Sequence, residues 1–194
     1  MKNNSNYDML QALCESRRSC RKFLPDPVSQ ELIDQILKTA ATSPFASGRR
    51  NWKILVIRDR EIYARLFQVV KERAESMAAE MDEDIAFLFR RYVQNFTQFE
   101  EAPVLLIPVF RIAPIMQSIL RDQVTPELQS WERDNAVKSI SCVVMLILLA
   151  AESLGLGACY MTGPLIAGKE LAEALDLAPE QEIGAIIPIG YAHK

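Results

Sequence analysis

The order of apolar patterns along this 194-residue chain predicts a single α+β domain over residues 1–194. Short, continuously apolar runs have the length of buried strands. Between them lie longer stretches in which apolar residues recur every three to four positions, as in amphipathic helices. We therefore expect a central, mixed but mainly antiparallel sheet flanked by helices.

Composition excludes several classes of protein. The net charge of -3 and the pI near 5.4 argue against a nucleic-acid-binding protein. The 4 cysteines have no CxxC spacing and the chain has 1 histidine, so we predict neither a metal site nor a Cys–His catalytic pair. We expect free, small cysteines in or near the core. Free thiols and a polar start without an apolar leader predict a cytoplasmic location without membrane contact.

The first elements follow from local patterns. Leu10, Leu13 and Cys14 have helical spacing and predict a helix that ends near residue 17. Ser29 is the expected N-cap of a helix over residues 30–42. The other helices are predicted over residues 60–81, 85–99, 131–154 and 169–175, and the strands over residues 52–58, 103–110, 158–162 and 183–189.

Individual residues refine these elements. Pro108 predicts that its strand lies near an edge or a bulge there. Residues 111–130 have little periodicity and read as a connection or lid. Residues 143–150 are apolar on every side, so we expect a helix at the centre of the domain or against a second subunit. The expected core stripe of the 85–99 helix is Phe87, Leu88, Tyr92, Phe96 and Phe99.

Residues 17–23, Arg-Arg-Ser-Cys-Arg-Lys-Phe, concentrate positive charge where a helix is predicted to end. Capping of the helix C-terminus would explain Arg17 and Arg18. It does not explain Arg21 and Lys22. From these residues alone the stretch is either a solvated basic turn or a site for an anion.

Four stretches, in order, resemble the motifs of the FMN-dependent nitroreductase family. Residues 17–23 match its Arg-Arg-Ser-x-Arg-x-Phe motif, and residues 43–52, Ser-Pro-Phe-Ala-Ser-Gly-Arg-Arg-Asn-Trp, resemble its loop before the first strand. Residues 154–163, Leu-Gly-Leu-Gly-Ala-Cys-Tyr-Met-Thr-Gly, follow the long apolar helix, and residues 187–191 resemble the last strand. The middle of the chain, from about residue 60 to 130, does not take part.

The resemblance implies a nitroreductase-like fold and an intertwined homodimer with FMN at the subunit interface. It implies NADH or NADPH as electron donor and a nitroaromatic, quinone-like or other conjugated small molecule as acceptor. The flavin carries the hydride chemistry, so no catalytic side chain is implied. The residues that it places at the cofactor are Arg17, Arg18, Ser19, Arg21, Pro44, Phe45, Ala46, Ser47, Arg50, Met161, Thr162, Gly163 and Lys194.

The implied roles differ along the chain. Arg17, Ser19 and Arg21 would contact the phosphate and ribityl chain, and Arg18 the polar edge of the ring. Residues 44–47 would come from the other subunit. The backbone N–H groups of residues 161–163 would lie near the flavin nitrogen that receives hydride. Lys194 would reach the phosphate.

Two features depart from the family pattern. Gly48, Arg50 and Asn51 stand where the family has asparagine, glutamine and proline. Arg49 and Arg50 therefore either bind the phosphates of a nicotinamide cofactor or an acidic substrate, or turn outward into solvent. Thr162 stands where a common relative has glutamate, which removes a negative charge near the ring.

Other functions stay open from the sequence. Within the superfamily the chain could be a specialised flavoenzyme, such as a reductive dehalogenase or a flavin-fragmenting enzyme. Outside catalysis it could be a non-catalytic flavin-binding protein, or a helical interaction module whose arginine pairs bind an acidic partner. The last of these predicts strong salt dependence and no bound chromophore.

Overall fold

The computed structural model describes residues 5–45, 51–112 and 114–193. The helices are α1 (Ser5–Ser16), α2 (Gln30–Ala40), α3 (Arg60–Ala79), α4 (Glu83–Val93), α5 (Ile115–Leu120), α6 (Pro126–Ser153) and α7 (Gly168–Ala174). The strands are β1 (Trp52–Ile57), β2 (Val104–Arg111), β3 (Gly157–Ala158), β4 (Gln181–Ile183) and β5 (Ile187–Gly190). Short 3-10 helices cover Gln94–Thr97, Arg121–Gln123 and Gly163–Ala167.

The sheet has 5 strands in the order β1-β2-β5-β3, with β4 also paired to β2. All of these strand pairs are antiparallel. A parallel bridge from Ser19 to Ala158 makes the sheet mixed. The α+β class with a mixed, mainly antiparallel sheet is thus confirmed.

The central strand β2 is buried on both faces, which explains its continuously apolar sequence. Leu106 and Phe110 point into a cluster formed with α2 and α6 on one face of the sheet. Leu105 and Ile107 point into a second cluster, with α3 and α7 on the other face. We call these the α6-side core and the α3-side core.

Pro108 does not lie at a sheet edge, because β2 is flanked on both sides. On one side its neighbour is interrupted: Val109 pairs with Ile183 of β4 and Leu106 pairs with Ile187 of β5. The Gly184 N–H donates to the Pro108 carbonyl at 2.8 Å within this interruption. Pro108, which has no N–H to donate, therefore faces the interruption between β4 and β5. The predicted strand 183–189 is accordingly two strands in the structure.

Helix α6 begins earlier than the sequence pattern predicted. Thr125 caps its N-terminus by accepting from the Leu128 N–H, and Pro126 occupies the first turn. The lack of periodicity over residues 111–130 predicts an irregular connection at Pro126, but proline is also favoured at the first position of a helix, and this is where the structure has it. The region 111–130 thus holds α5 and the start of α6 rather than a long loop.

Helix α6 packs on α2 and the sheet, α1 and α5 also contact it, and part of its surface stays open. Trp131 is 52% exposed and Met145 is 48% exposed, so burial on every side is not realised within one chain. In the described part of the chain, α6 alone is long and apolar enough to cross a membrane by length and composition. The central helix of a globular core meets the same criterion.

The aromatic stripe of the 85–99 helix is only partly in the core, so that expectation was wrong for most of its residues. Phe99 is fully buried, but Phe87, Leu88 and Tyr92 are 65%, 64% and 68% exposed. Ala86 and Val93 form the buried side of α4 instead. The cysteines are all free, as expected, yet Cys14 and Cys142 are exposed rather than in the core.

Candidate functional site

The cationic segment, residues 17–24, is extended rather than a turn. Its backbone is added to the sheet next to β3: the Cys20 N–H donates to the Ala158 carbonyl at 2.9 Å. Further along, the Leu24 N–H donates to the Tyr191 carbonyl at 2.9 Å. A Cβ on Gly157 would lie 2.7 Å from the Cys20 Cβ, so glycine permits this close approach. The solvated basic turn is therefore the wrong interpretation of the backbone.

The cationic segment lies beside a buried thiol, that of Cys159. Burial raises the pKa of the Cys159 thiol, while the charges of Arg21 and Arg17 and a hydrogen bond with the Ser19 side chain lower it. Arg17, Ser19 and Arg21 are alternate residues of the extended segment, and alternate side chains of an extended chain lie on one side of it. Ser19 and Arg21 remain exposed to solvent on this side.

Arg18 points elsewhere. Its guanidinium donates to the Glu15 carbonyl and, at 2.9 Å, to the Arg17 carbonyl at the end of α1. These are the carbonyl groups that a helix C-terminus leaves without partners. In this structure Arg18 thus caps α1, and only release from these carbonyls would let it reach a ligand.

A polar cavity of about 480 Å³ lies beside the end of the cationic segment. The Oε1 atom of Gln98 is buried and has no hydrogen-bond partner among the described residues, while its amide nitrogen donates to Asn95. Sequence reasoning missed this cavity because no local pattern joins residues 21 and 98. The residues that line it are Arg21, Lys22, Thr97, Gln98, Glu100 and Glu101.

Residues 161–163 differ in whether their N–H groups are free to meet a cofactor. The Met161 N–H donates to the Ile186 carbonyl at 3.1 Å, and the Ile186 N–H donates back to Met161 at 3.0 Å. The Met161 N–H is therefore committed to the sheet and is not available to a cofactor. Thr162 is exposed, and Gly163 opens a 3-10 helix, whose first N–H groups have no acceptor within the helix.

Gly163 is covered by Phe96, whose ring is paired with that of Tyr92. The helical spacing predicts both as core residues. A Cβ on Gly163 would lie 2.3 Å from the Phe96 Cδ1, so the ring packs directly on the glycine. Tyr92 meets Phe96 edge to face, with ring centroids 5.3 Å apart and an interplanar angle of 77°. Phe96 and Gly163 are far apart in the sequence, so this arrangement could be found only from the three-dimensional structure.

Among the described residues of the 43–52 loop, Phe45 lies on the other face of the sheet from Met161. Phe45 packs against the α6-side core. Cys159 and Met161 belong to the α3-side core, with Phe96 packed against it. Pro44 is exposed. Ala46, Ser47, Arg49, Arg50 and Lys194 lie outside the described residues, so their expected roles stay predictions.

Comparison with known proteins identifies the family. A sequence profile described as Nitroreductase family matches residues 14–191. The chain is 31% identical over 191 residues to a putative NADH dehydrogenase/NAD(P)H nitroreductase of Methanothermobacter thermautotrophicus, covering 96% of this chain and 78% of that protein. It is 29% identical over 184 residues to an iodotyrosine deiodinase of Hydra vulgaris, covering 92% of this chain.

The chain spans 63% of the length of the Hydra protein. A solved structure of a BluB-like flavoprotein from Clostridium difficile 630 superposes with a TM-score of 0.84 at 25% identity, covering 95% of this chain and 90% of the other. The nitroreductase-like fold is thereby confirmed. Since the profile covers most of the sequence and the archaeal relative exceeds 30% identity, the chain belongs to the Nitroreductase family.

Proposed function

We propose that this protein is an FMN-dependent oxidoreductase that uses NADH or NADPH to reduce nitroaromatic, quinone-like or related conjugated acceptors. The observation that carries the proposal is the cationic segment, an extended chain hydrogen-bonded to the sheet on which Ser19 and Arg21 are exposed. A phosphate with nearly two negative charges is held well by forked guanidinium donors. When bound, FMN would supply the hydride transfer between the two substrates.

The chain's own residues would hold and orient the cofactor. Arg17, Ser19 and Arg21 would bind the phosphate and ribityl chain, because their backbone is fixed and their side chains alternate onto one side. The N–H groups of Thr162 and Gly163 would face the ring, since that of Met161 is committed to Ile186. Arg50 and Lys194 are proposed as further cofactor contacts.

We propose that the site is completed by a second copy of the chain, with Pro44, Phe45, Ala46 and Ser47 supplied by the partner. Two observations support this homodimer. Phe45 packs on the opposite side of the sheet from Met161 and Cys159. Helix α1 buries none of its residues, and α6 exposes Trp131, Cys142 and Met145. An apolar helix face of this kind is typical of a subunit interface.

Sedimentation velocity tests the dimer. The wild-type protein is expected to sediment as a dimer, and Met145→Glu as a monomer, because a charge on the open face of α6 would be buried without a partner. Ile119→Glu is the matched control, since Ile119 is also exposed but lies on α5. A monomeric wild type, or a dimeric Met145→Glu, would contradict the proposed interface.

An absorption spectrum tests the activity. Purified protein is expected to be yellow, and to bleach when NADH or NADPH is added without oxygen. A colourless protein that FMN does not reconstitute overturns the proposal. A yellow protein that neither nicotinamide cofactor reduces would instead be the non-catalytic flavin-binding alternative.

A second candidate is reductive dehalogenation, favoured by the 29% identity to the Hydra iodotyrosine deiodinase. In this case the dithionite-reduced holoprotein would release iodide from iodotyrosine. A nitroreductase would reduce a nitroaromatic compound but release no iodide. The flavin-fragmenting alternative has no specific observation in its favour beyond the fold.

We also propose that residues 1–194 form one domain and that the protein is cytoplasmic. The four free cysteines support a reducing compartment. Fractionation of cells with an antibody to the protein would test the location. Recovery in a secreted or membrane fraction would contradict it.

A further inference from the structure

Tyr92 and Phe96 form an aromatic pair at the Gly163 end of the candidate site. Tyr92 lies at the end of α4 and Phe96 in the 3-10 helix that follows it, and their rings are in contact. Phe96 is half-buried against Gly163, and Tyr92 packs on Phe96 edge to face at 5.3 Å. The pair is therefore fixed on one side by the segment that would face the flavin ring.

The chain that follows this pair reaches the other end of the site. Thr97 and Gln98 line the polar cavity together with Arg21. The Arg60 guanidinium donates to the Glu100 carbonyl at 3.0 Å and ties this stretch to the start of α3. Residues 92–101 thus run beside the site from Gly163 to the cationic segment, which makes them a wall of the site rather than a distant surface.

A core role does not account for Tyr92. Its side chain is 68% exposed, although Phe96 beside it is half-buried and Phe99 is fully buried. An aromatic ring that is held in place yet open on the other side offers a flat surface for stacking. The phenol adds a hydrogen-bond donor at its rim, suited to the oxygen atoms of a nitro or quinone group.

We propose that Tyr92, positioned by Phe96, is the wall against which a planar aromatic acceptor stacks beside the flavin ring. This inference rests on the proposed function, since it places the flavin next to Gly163. It makes Tyr92 a specificity-determining residue. It also names the substrate class as planar aromatic compounds rather than small, non-planar oxidants.

Steady-state kinetics of the FMN-loaded dimer tests the proposal with two acceptors, 4-nitrotoluene and ferricyanide. Tyr92→Ala is expected to lower kcat/KM for 4-nitrotoluene by about 3- to 10-fold, the range for loss of one aromatic contact. The loss is expected in KM rather than in kcat, with ferricyanide unaffected. Tyr92→Phe is expected to retain most of the stacking and so most of kcat/KM.

Phe87→Ala is the matched control, because Phe87 is 65% exposed on the same helix but lies on a different side of it. It is expected to leave both acceptors unchanged. The proposal is overturned if Tyr92→Ala changes kcat/KM for 4-nitrotoluene by less than about twofold, or lowers it equally for ferricyanide. A Tyr92→Ala protein that has become monomeric also overturns it, because the tyrosine would then be an interface residue.

Titration of the oxidised holoprotein with 4-nitrotoluene, without a nicotinamide cofactor, separates the inference from the proposed function. Binding is followed by the change in flavin absorbance, and Tyr92→Ala is expected to raise the Kd by about 3- to 10-fold. If wild-type protein binds the acceptor more tightly than Tyr92→Ala but is not reduced by NADH or NADPH, the proposed function is contradicted and the stacking role of Tyr92 is supported. An equal Kd for wild type and Tyr92→Ala contradicts the wall alone.

Discussion

The two segments proposed to hold the cofactor are built in opposite ways. In the cationic segment, the backbone is bound to β3 and to the C-terminal stretch, and the side chains of Ser19 and Arg21 are exposed. In residues 161–163, the Met161 side chain is buried, and Gly163 has no side chain to offer. The first segment thus presents side chains to a ligand, and the second presents backbone.

This difference decides what a substitution does. A change in the cationic segment removes a ligand contact and leaves the fold, because the backbone bonds remain. A change at Gly163 alters packing first, because Phe96 already occupies the space that a side chain would take. We therefore expect binding phenotypes from the first segment and stability phenotypes from the second.

Arg21→Ala is expected to give the largest effect. It removes a charge-assisted contact to the phosphate, worth about 1.5–3 kcal/mol, so the Kd for FMN should rise roughly 10- to 100-fold. Fluorescence titration of the apoprotein with FMN measures this change. The dimer and the midpoint of urea unfolding of the apoprotein should be unchanged, because Arg21 is exposed.

Lys22→Ala is the matched control for Arg21→Ala. It removes the same charge one position further along, from a residue not assigned to the phosphate. It should raise the Kd by no more than about twofold, the effect of long-range charge alone at moderate salt. Equal losses in the two variants would show that overall charge, and not the forked guanidinium at residue 21, binds the cofactor.

Local patterns in the sequence explain why the strands and the cationic segment were predicted. The run over β2 is apolar because Leu105 and Leu106 point into different cores, and such a run is visible in one dimension. The motif of residues 17–23 is likewise contiguous. Its side chains and their spacing are enough to indicate an anion site once the other family motifs are found in order.

The predictions were wrong where contacts between residues distant in sequence determine exposure and hydrogen bonding. Tyr92 has the spacing of a core residue but lies on the open side of α4. The N–H of Met161 is taken by Ile186, a residue 25 positions away that no local pattern connects to it. The contact of Phe96 with Gly163 is of the same kind, so one wall of the candidate site could not be found from the sequence.

Gly163→Ala tests whether a substitution in residues 161–163 lowers stability. The added Cβ would lie 2.3 Å from the Phe96 ring, and overpacking of this kind costs about 1–3 kcal/mol. Urea unfolding of the apoprotein should show the loss in the midpoint without a change in slope. The double variant with Phe96→Ala should lose less than the sum of the two single variants, because it removes the clash.

Gly168→Ala is the matched control for Gly163→Ala. No atom lies within 4 Å of a Cβ added there, and φ is -58°, which alanine adopts readily. The substitution should be neutral or stabilise by about 0.4–1 kcal/mol, through the unfolded state. Equal destabilisation at both positions would mean that backbone flexibility, and not the Phe96 contact, explains the glycine at 163.

The smallest expected effect concerns the buried thiol beneath the cationic segment. Burial raises the pKa of Cys159 above its ordinary value, with the nearby arginines opposing the shift. The folded protein therefore holds this proton more tightly than the unfolded chain. Its contribution to stability is fully present below about pH 8.5, where an unfolded thiol ionises, and is lost as the pH rises through the folded pKa.

Cys159→Ala removes this contribution together with the part of the raised pKa of Cys20 that is due to Cys159. Tyr63, whose pKa burial also raises, titrates in both proteins. The free energy of unfolding of wild type minus that of Cys159→Ala should fall as the pH rises above the pKa of an unfolded thiol, by less than about 1.4 kcal/mol per pH unit, the limit for one proton. In an Arg21→Ala background the decline should extend to higher pH, because the guanidinium no longer stabilises the thiolate. An identical decline with and without Arg21 would mean that the Arg21 guanidinium does not act on the Cys159 thiol.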